Sequence, residues 1–241
     1  LRQDAFAAAE SLDDRDDIAA NYLEISDKVG QAGDLPLSMS IIIEGRDIPE
    51  KSRNEQRAAM ERRAFYLATA YPPCFRNEIL AAATPQAGAG DQVSPELVYS
   101  ILRRESLFCS TALSKAGALG LFQFIPSTFD SLNARWDLLL ESCAPSRETF
   151  LLNPTQSISL GVRWFNEELL PHHDGHVLFA LMEHNAGLGN VLQWKRYWKD
   201  LGRLEDVEYI IETIRARETR LFTRRTVADL MVVDAIGLFK D

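Results

Sequence analysis

Ser94-Pro95-Glu96-Leu97-Val98-Tyr99-Ser100-Ile101-Leu102-Arg103-Arg104-Glu105-Ser106-Leu107-Phe108 reads as a helix with an acid in its apolar stripe. Ser94 is a capping residue and Pro95 suits the first helical position. Stepping about 100° per residue from Val98 puts Ile101 at about −60°, Leu102 at about +40° and Glu105 at about −20°. Arg103 and Arg104 fall elsewhere on the wheel. A carboxyl in apolar surroundings resists ionising, so Glu105 is expected to have the raised proton affinity of a general acid. The plainer alternative is a boundary residue that reaches solvent or pairs with a nearby Arg.

The rest of the chain also reads as helix. No stretch shows sustained alternation with β-branched enrichment, and no Asn-Gly or Asp-Gly hairpin separates two such stretches. Helices are expected at roughly 3–12, 14–28, 36–46, 50–70 and 73–83. Tyr71-Pro72-Pro73 forces a break, and the small, Gly-rich segment 83–91 separates an N-terminal part from a C-terminal one. Beyond Phe108, a Gly-punctuated turn at 114–120 leads into a short helix through Gln123 that Pro126 stops. Asn153-Pro154 caps a helix carrying Ile158, Val162, Phe165 and Leu169, and the next helix, Val177 to Asn185, ends at Gly187. Further helices are expected at about 190–200, 205–214 and 218–236. The fold class is all-α.

Composition narrows the function. The chain has 241 residues, 46% hydrophobic and 25% charged, as in ordinary globular proteins. A net charge of −9 and a pI near 5.0 argue against general nucleic-acid binding, whose footprint is basic. No apolar run approaches the roughly 20 residues of a membrane-spanning helix. The chain starts with Leu and shows no signal-peptide pattern, so a processed or trimmed piece is expected. Cys74, Cys109 and Cys143 allow one disulfide, with Cys109–Cys143 the expected pair, or three buried thiols.

The residues after Glu105 form an ordered series. Glu105-Ser106-x-Phe108 precedes Ser114-x-Ala116-Gly117-Ala118-x-Gly120-Leu121-Phe122-Gln123-x-Ile125-Pro126. Asn153-Pro154, Leu160-Gly161, Asn185-Ala186-Gly187, Ile211-Glu212-Thr213-Ile214 and Glu218-Thr219-Arg220 follow. Over about residues 94–236 this resembles the catalytic domain of the soluble lytic transglycosylases, which are similar to goose-type lysozyme and cleave bacterial peptidoglycan. The resemblance implies a lysozyme-like catalytic domain at 72–241 behind a small helical, linker-type domain at 1–71.

Glycosidic cleavage needs a proton on the departing oxygen and stabilisation of an oxocarbenium-like centre. No second acid lies on an apolar face near the Glu105 motif, and Asp130 and Asp137 sit beyond Pro126 in what reads as ordinary amphipathic helix. That leaves Glu105 as the one catalytic carboxylate. The resemblance implies that it is acid and then base, with the 2-acetamido group assisting and the 6-hydroxyl closing a 1,6-anhydro ring, without cofactor or metal. It further implies that Ser114 hydrogen-bonds and orients Glu105, and that Gln123, Asn185 and Glu212 contact the glycan, Glu212 serving the acetamido group. Ser106, Phe122 and Ile125 complete the expected substrate-facing set.

Several positions depart from the family's pattern. His184 replaces a tyrosine that would line the site, and would bring a pH dependence near neutrality. Phe122 and Ile125 replace methionines, Arg215 a proline, and Phe222 a tyrosine.

Other features carry less. His172, His173, His176 and His184 lie close in sequence, but the first three straddle a loop, so no zinc site is expected. The basic run Arg215–Arg225 reads as a solvated face with Glu218 paired within it, and Trp164, Trp194 and Trp198 read as core. The expected partner is the glycan strand of peptidoglycan, in the periplasm or cell envelope, with cell-wall enzyme complexes as further partners. The alternatives are a goose-type muramidase, which hydrolyses the same bond, and a peptidoglycan-binding module without turnover.

Overall fold

The computed structural model describes residues 69–84 and 92–240. The expected N-terminal helices at 3–12, 14–28, 36–46 and 50–70 lie outside them, apart from helical Thr69 and Ala70. The chain divides into two compact units, Leu1–Cys74 with Leu107–Cys109, and Phe75–Ser106 with Ser110–Asp241. The second unit holds every helix named below.

Its centre is α2 (Pro95–Glu105). Ser94 Oγ accepts from the Leu97 N–H at 3.2 Å, with Pro95 at the first turn, so the start matches the sequence signal. Leu97 through Arg103 are all buried, so α2 is enclosed on every side over that stretch rather than along one stripe. It packs on α1 (Arg76–Ala83) and α10 (Arg217–Ala235). The expected start of α1 at residue 73 moves to Arg76, because Phe75 takes a left-handed conformation at φ 53°.

The wheel had set Arg103 apart from the apolar face, yet it is 3% exposed. Its Nη1 donates to both oxygens of buried Asp229 on α10 at 3.1 Å, and Arg104 Nε donates to the same carboxylate. A buried arginine is tolerated because a buried counter-charge meets it.

The segment 112–125 corrects the expectation of a short helix through Gln123. It forms two isolated antiparallel bridges, Leu113 with Leu119 and Leu119 with Phe124. Gly117 and Gly120, both at φ 79°, form the expected Gly-punctuated turn, whereas Gln123 at φ 51° is left-handed, which a right-handed helix through it cannot contain. A Cβ on Gly120 would stand 2.3 Å from the Leu151 carbonyl oxygen, so only glycine fits there. Pro126 does not stop a helix but starts α3 (Pro126–Trp136), which carries Asp130 on its exposed side. Asp137 caps its end in a left-handed conformation.

Two short helices, α4 (Leu138–Glu141) and α5 (Arg147–Leu152), lead to α6 (Pro154–Trp164). Asn153 caps α6 through its side chain, accepting from the Gln156 N–H at 3.1 Å. The α6 register then widens into a π-turn, Phe165–Leu169, and a 3₁₀ turn, Pro171–His173. Helices α7 (Val177–Ala186), α8 (Leu188–Asp200) and α9 (Val207–Thr213) follow. Phe179, Met182, Val191, Trp194, Trp198, Ile210 and Ile214 form their shared core, which places Trp194 and Trp198 as expected.

The expected Cys109–Cys143 disulfide is not present. All three cysteines are thiols outside any disulfide, and Cys143 is exposed at the end of α4, its thiol directed to the Leu140 carbonyl at 3.9 Å. Among the described residues, no helix is long and apolar enough to cross a membrane.

Candidate active site

Glu105 ends α2, where buried helix meets an open cavity of about 280 Å³. Its side chain is 18% exposed, so it is neither sealed in the core nor free in solvent. The plainer alternative, a pairing with neighbouring arginine, fails because Asp229 occupies both Arg103 and Arg104. Its partner is His184 of α7, whose Nε2 lies 3.0 Å from Glu105 Oε1.

His184 is held by packing. Its side chain is 5% exposed and meets the rings of Phe122, Trp164, Phe165 and Phe222. Nδ1 is buried with no hydrogen-bond partner among the described residues. Phe122 reaches this place because residue 161 on α6 is glycine: a Cβ there would stand 2.3 Å from the Phe122 ring. The Leu160-Gly161 motif is thus a seat for an aromatic ring.

The cavity gathers Glu105, Ser114, Phe122, Gln123, Ile125, His184 and Asn185 from the expected set. Ser114 lies on the wall, but its Oγ accepts from the Ala118 N–H at 3.0 Å and so ties the turn rather than Glu105. Gln123 Nε2 donates to the carbonyls of Gly120 and Ala112 at 2.8 and 3.1 Å, which fixes the amide in the cavity wall. Phe122 is a core residue at 1% exposure, whereas Ile125 is 42% exposed at the rim.

Two expected residues lie elsewhere. Ser106 is buried, and its hydroxyl donates back to the Leu102 carbonyl at 3.1 Å. Glu212 projects from α9 into solvent, 3.5 Å from Arg224 Nη1, outside the cavity lining. Conversely, two residues read as inert line the cavity: Trp164, assigned to the core, and Glu218, assigned to an internal ion pair. Glu218-Thr219-Arg220 was the available signal for the second, because Thr219 is buried and turns Glu218 to a different side of α10.

The clustered histidines serve a carboxylate. Glu183, 7% exposed, has His172 Nδ1 at 2.9 Å from Oε1 and His173 Nε2 at 2.8 Å from Oε2. The second approach is off the hydrogen-bond direction. Lys195 Nζ lies 3.3 Å from His173 Nδ1. These contacts tie α7 to the 3₁₀ turn one residue before His184.

Comparison with known proteins gives the family and the fold. The family described as Transglycosylase SLT domain matches residues 83–207. A soluble lytic murein transglycosylase of Salmonella typhimurium is 27% identical over 139 residues, covering 58% of this chain and 20% of that protein. Among solved structures, an inactive mutant of lytic transglycosylase Slt from Pseudomonas aeruginosa superposes with a TM-score of 0.67 at 20% identity, covering 98% of this chain and 33% of that one. The 70-kDa soluble lytic transglycosylase of Escherichia coli gives 0.66 at 18% identity, with the same coverage. The chain therefore spans about a fifth of the curated relative and a third of the solved structures, whose likeness establishes the fold: all-α and lysozyme-like. With the family match extending over just over half of the chain, the protein belongs to the Transglycosylase SLT domain family.

Proposed function

We propose that this protein is a lytic transglycosylase that cleaves the β-1,4 bond between N-acetylmuramic acid and N-acetylglucosamine in peptidoglycan, acting in the periplasm or cell envelope. The observation that carries the proposal is Glu105, fixed by His184 at 3.0 Å and opening onto the cavity. Family membership supports the same reading.

The chemistry follows in two steps. The acetamido carbonyl oxygen bonds to C1 as the bond to the leaving sugar breaks, and the Glu105 proton passes to the departing oxygen. The 6-hydroxyl oxygen then bonds to C1 and displaces the acetamido oxygen, and its proton goes to Glu105. The acid is regenerated, no water is consumed and no cofactor enters. Gln123, whose amide nitrogen is held by backbone, presents its carbonyl oxygen as a fixed acceptor for a sugar hydroxyl. Asn185 lines the same cavity. The orienting role expected of Ser114 falls to His184.

One observation favours a second reading. Glu218 brings a further carboxylate to the cavity, and a second carboxylate can direct a water in hydrolysis, as in a muramidase. Mass spectrometry of the released muropeptides separates the two. Transglycosylation gives anhydro ends, one water lighter than the reducing ends of a hydrolase. Reducing ends alone would overturn the transglycosylase reading.

A further inference from the structure

His184 touches Glu105 through one nitrogen and nothing polar through the other. Nε2 lies 3.0 Å from Glu105 Oε1, while Nδ1 is buried without a hydrogen-bond partner among the described residues. The centroids of Phe122, Trp164, Phe165 and Phe222 stand 6.3, 5.5, 5.6 and 5.8 Å from the imidazole. The other carboxylate of the cavity is Glu218, and Arg220 on the same helix donates to the Ile214 carbonyl at 2.8 Å.

A neutral imidazole carries one N–H, placed by the hydrogen bonds that each nitrogen can make. A proton at Nδ1 would leave a buried donor unsatisfied among aromatic rings. The imidazolium would strand the same N–H, although aromatic faces attract a cation and make it the rival species. A proton at Nε2 strands no donor. It donates to Oε1 whether Glu105 is ionised or protonated, since both forms offer an acceptor oxygen there.

We propose that His184 is a positioning residue locked as the Nε2–H tautomer, which donates to Glu105 Oε1 throughout the cycle and so assigns the travelling proton to Oε2. This rests on Glu105 being the acid and base. A proton on Oε1 would aim at His184 and not at the sugar. Oε2 has no partner among the described residues, and Glu105 lines the cavity. The proton therefore leaves Oε2 for the glycosidic oxygen as that bond breaks, and returns to Oε2 from the 6-hydroxyl as the ring closes. Where the family pattern has a phenol, this chain has a donor whose direction is set by what its far nitrogen lacks.

The test is a two-bond ¹H–¹⁵N spectrum of the ¹⁵N-histidine-labelled protein at neutral pH, with His184 assigned by its loss in His184→Gln. The expected pattern is a protonated Nε2 beside an unprotonated Nδ1. Protonation at Nδ1, alone or with Nε2, overturns the proposal. Kinetics supply the second arm. His184→Phe fills the same space without a donor and should lower kcat roughly 10–100-fold, the equivalent of one charge-assisted hydrogen bond, with KM little changed. His184→Gln, with a donor near the place of Nε2, should recover most of that loss. A His184→Phe variant at the wild-type rate, or a Gln variant as impaired as Phe, also overturns it. Failure of the Glu105 reading would show separately, as an active Glu105→Gln variant.

Discussion

Arg103 Nη1 lies 3.1 Å from both carboxylate oxygens of Asp229, and both residues are buried. The pair joins α2 to α10 two residues before Glu105, so the same contact that secures the core also fixes the end of the helix presenting the acid. Removing the Asp229 charge takes a shared counter-charge away from both Arg103 and Arg104. Asp229→Asn should cost about 3–5 kcal/mol in urea unfolding. Arg103→Met combined with Asp229→Leu should recover much of it, since Arg104 is 21% exposed and can turn to solvent. A fully stable Asp229→Asn would contradict this role.

Phe122 and Gly161 are a matched pair. Gly161→Ala puts a methyl into the Phe122 ring and should destabilise the protein by about 1–3 kcal/mol while pushing the ring toward His184. Activity should fall along with stability. Adding Phe122→Leu should return part of both, because the smaller side chain leaves room for the methyl. Thermal unfolding of the two variants measures the coupling.

The thiols should react in a defined order. Cys143 is exposed, whereas burial pushes the Cys74 thiol up to about 11. The thiolate is the nucleophile, so raising Cys74 above its ordinary value slows its alkylation at neutral pH, and its rate should climb about tenfold per pH unit until that value is reached. Mass spectrometry after brief iodoacetamide treatment should find Cys143 modified first and Cys74 last. Denatured protein should yield three reactive thiols without reductant.

Glu218 and Glu212 should separate by assay. Glu218 lines the cavity and Glu212 pairs with Arg224 in solvent. Glu218→Gln should therefore change kcat/KM, while Glu212→Gln should stay within about 0.5 kcal/mol of wild type in transition-state stabilisation, as for a surface ion pair. The reverse order would mean that the glycan draws α9 into the site.

Local signals were legible in the sequence wherever a residue acts on its own neighbours. Ser94-Pro95 starts α2, Asn153-Pro154 starts α6, and Gly187 ends α7. Ordered motifs single out Glu105 and His184, which line one cavity 3.0 Å apart. What stayed hidden depends on distant partners. The burial of Arg103 needs Asp229, 126 positions away. Trp164 and Glu218 enter the cavity because of how α6 and α10 are rotated, which their own periodicity does not fix. Gln123 adopts a left-handed conformation that a non-glycine residue rarely takes, so the short helix expected through Gln123 is instead a continuation of the turn that Gly117 and Gly120 begin.

The most direct measurement is the rate at which purified Glu105→Gln releases muropeptides from isolated peptidoglycan, compared with wild type. Glutamine preserves an acceptor for His184 but cannot give or take the proton. The expected result is anhydro-ended muropeptides from wild type and a rate at least about 100-fold lower from the variant, the usual share of general acid–base catalysis. Equal release by the two proteins would contradict the assignment of Glu105 as the catalytic acid.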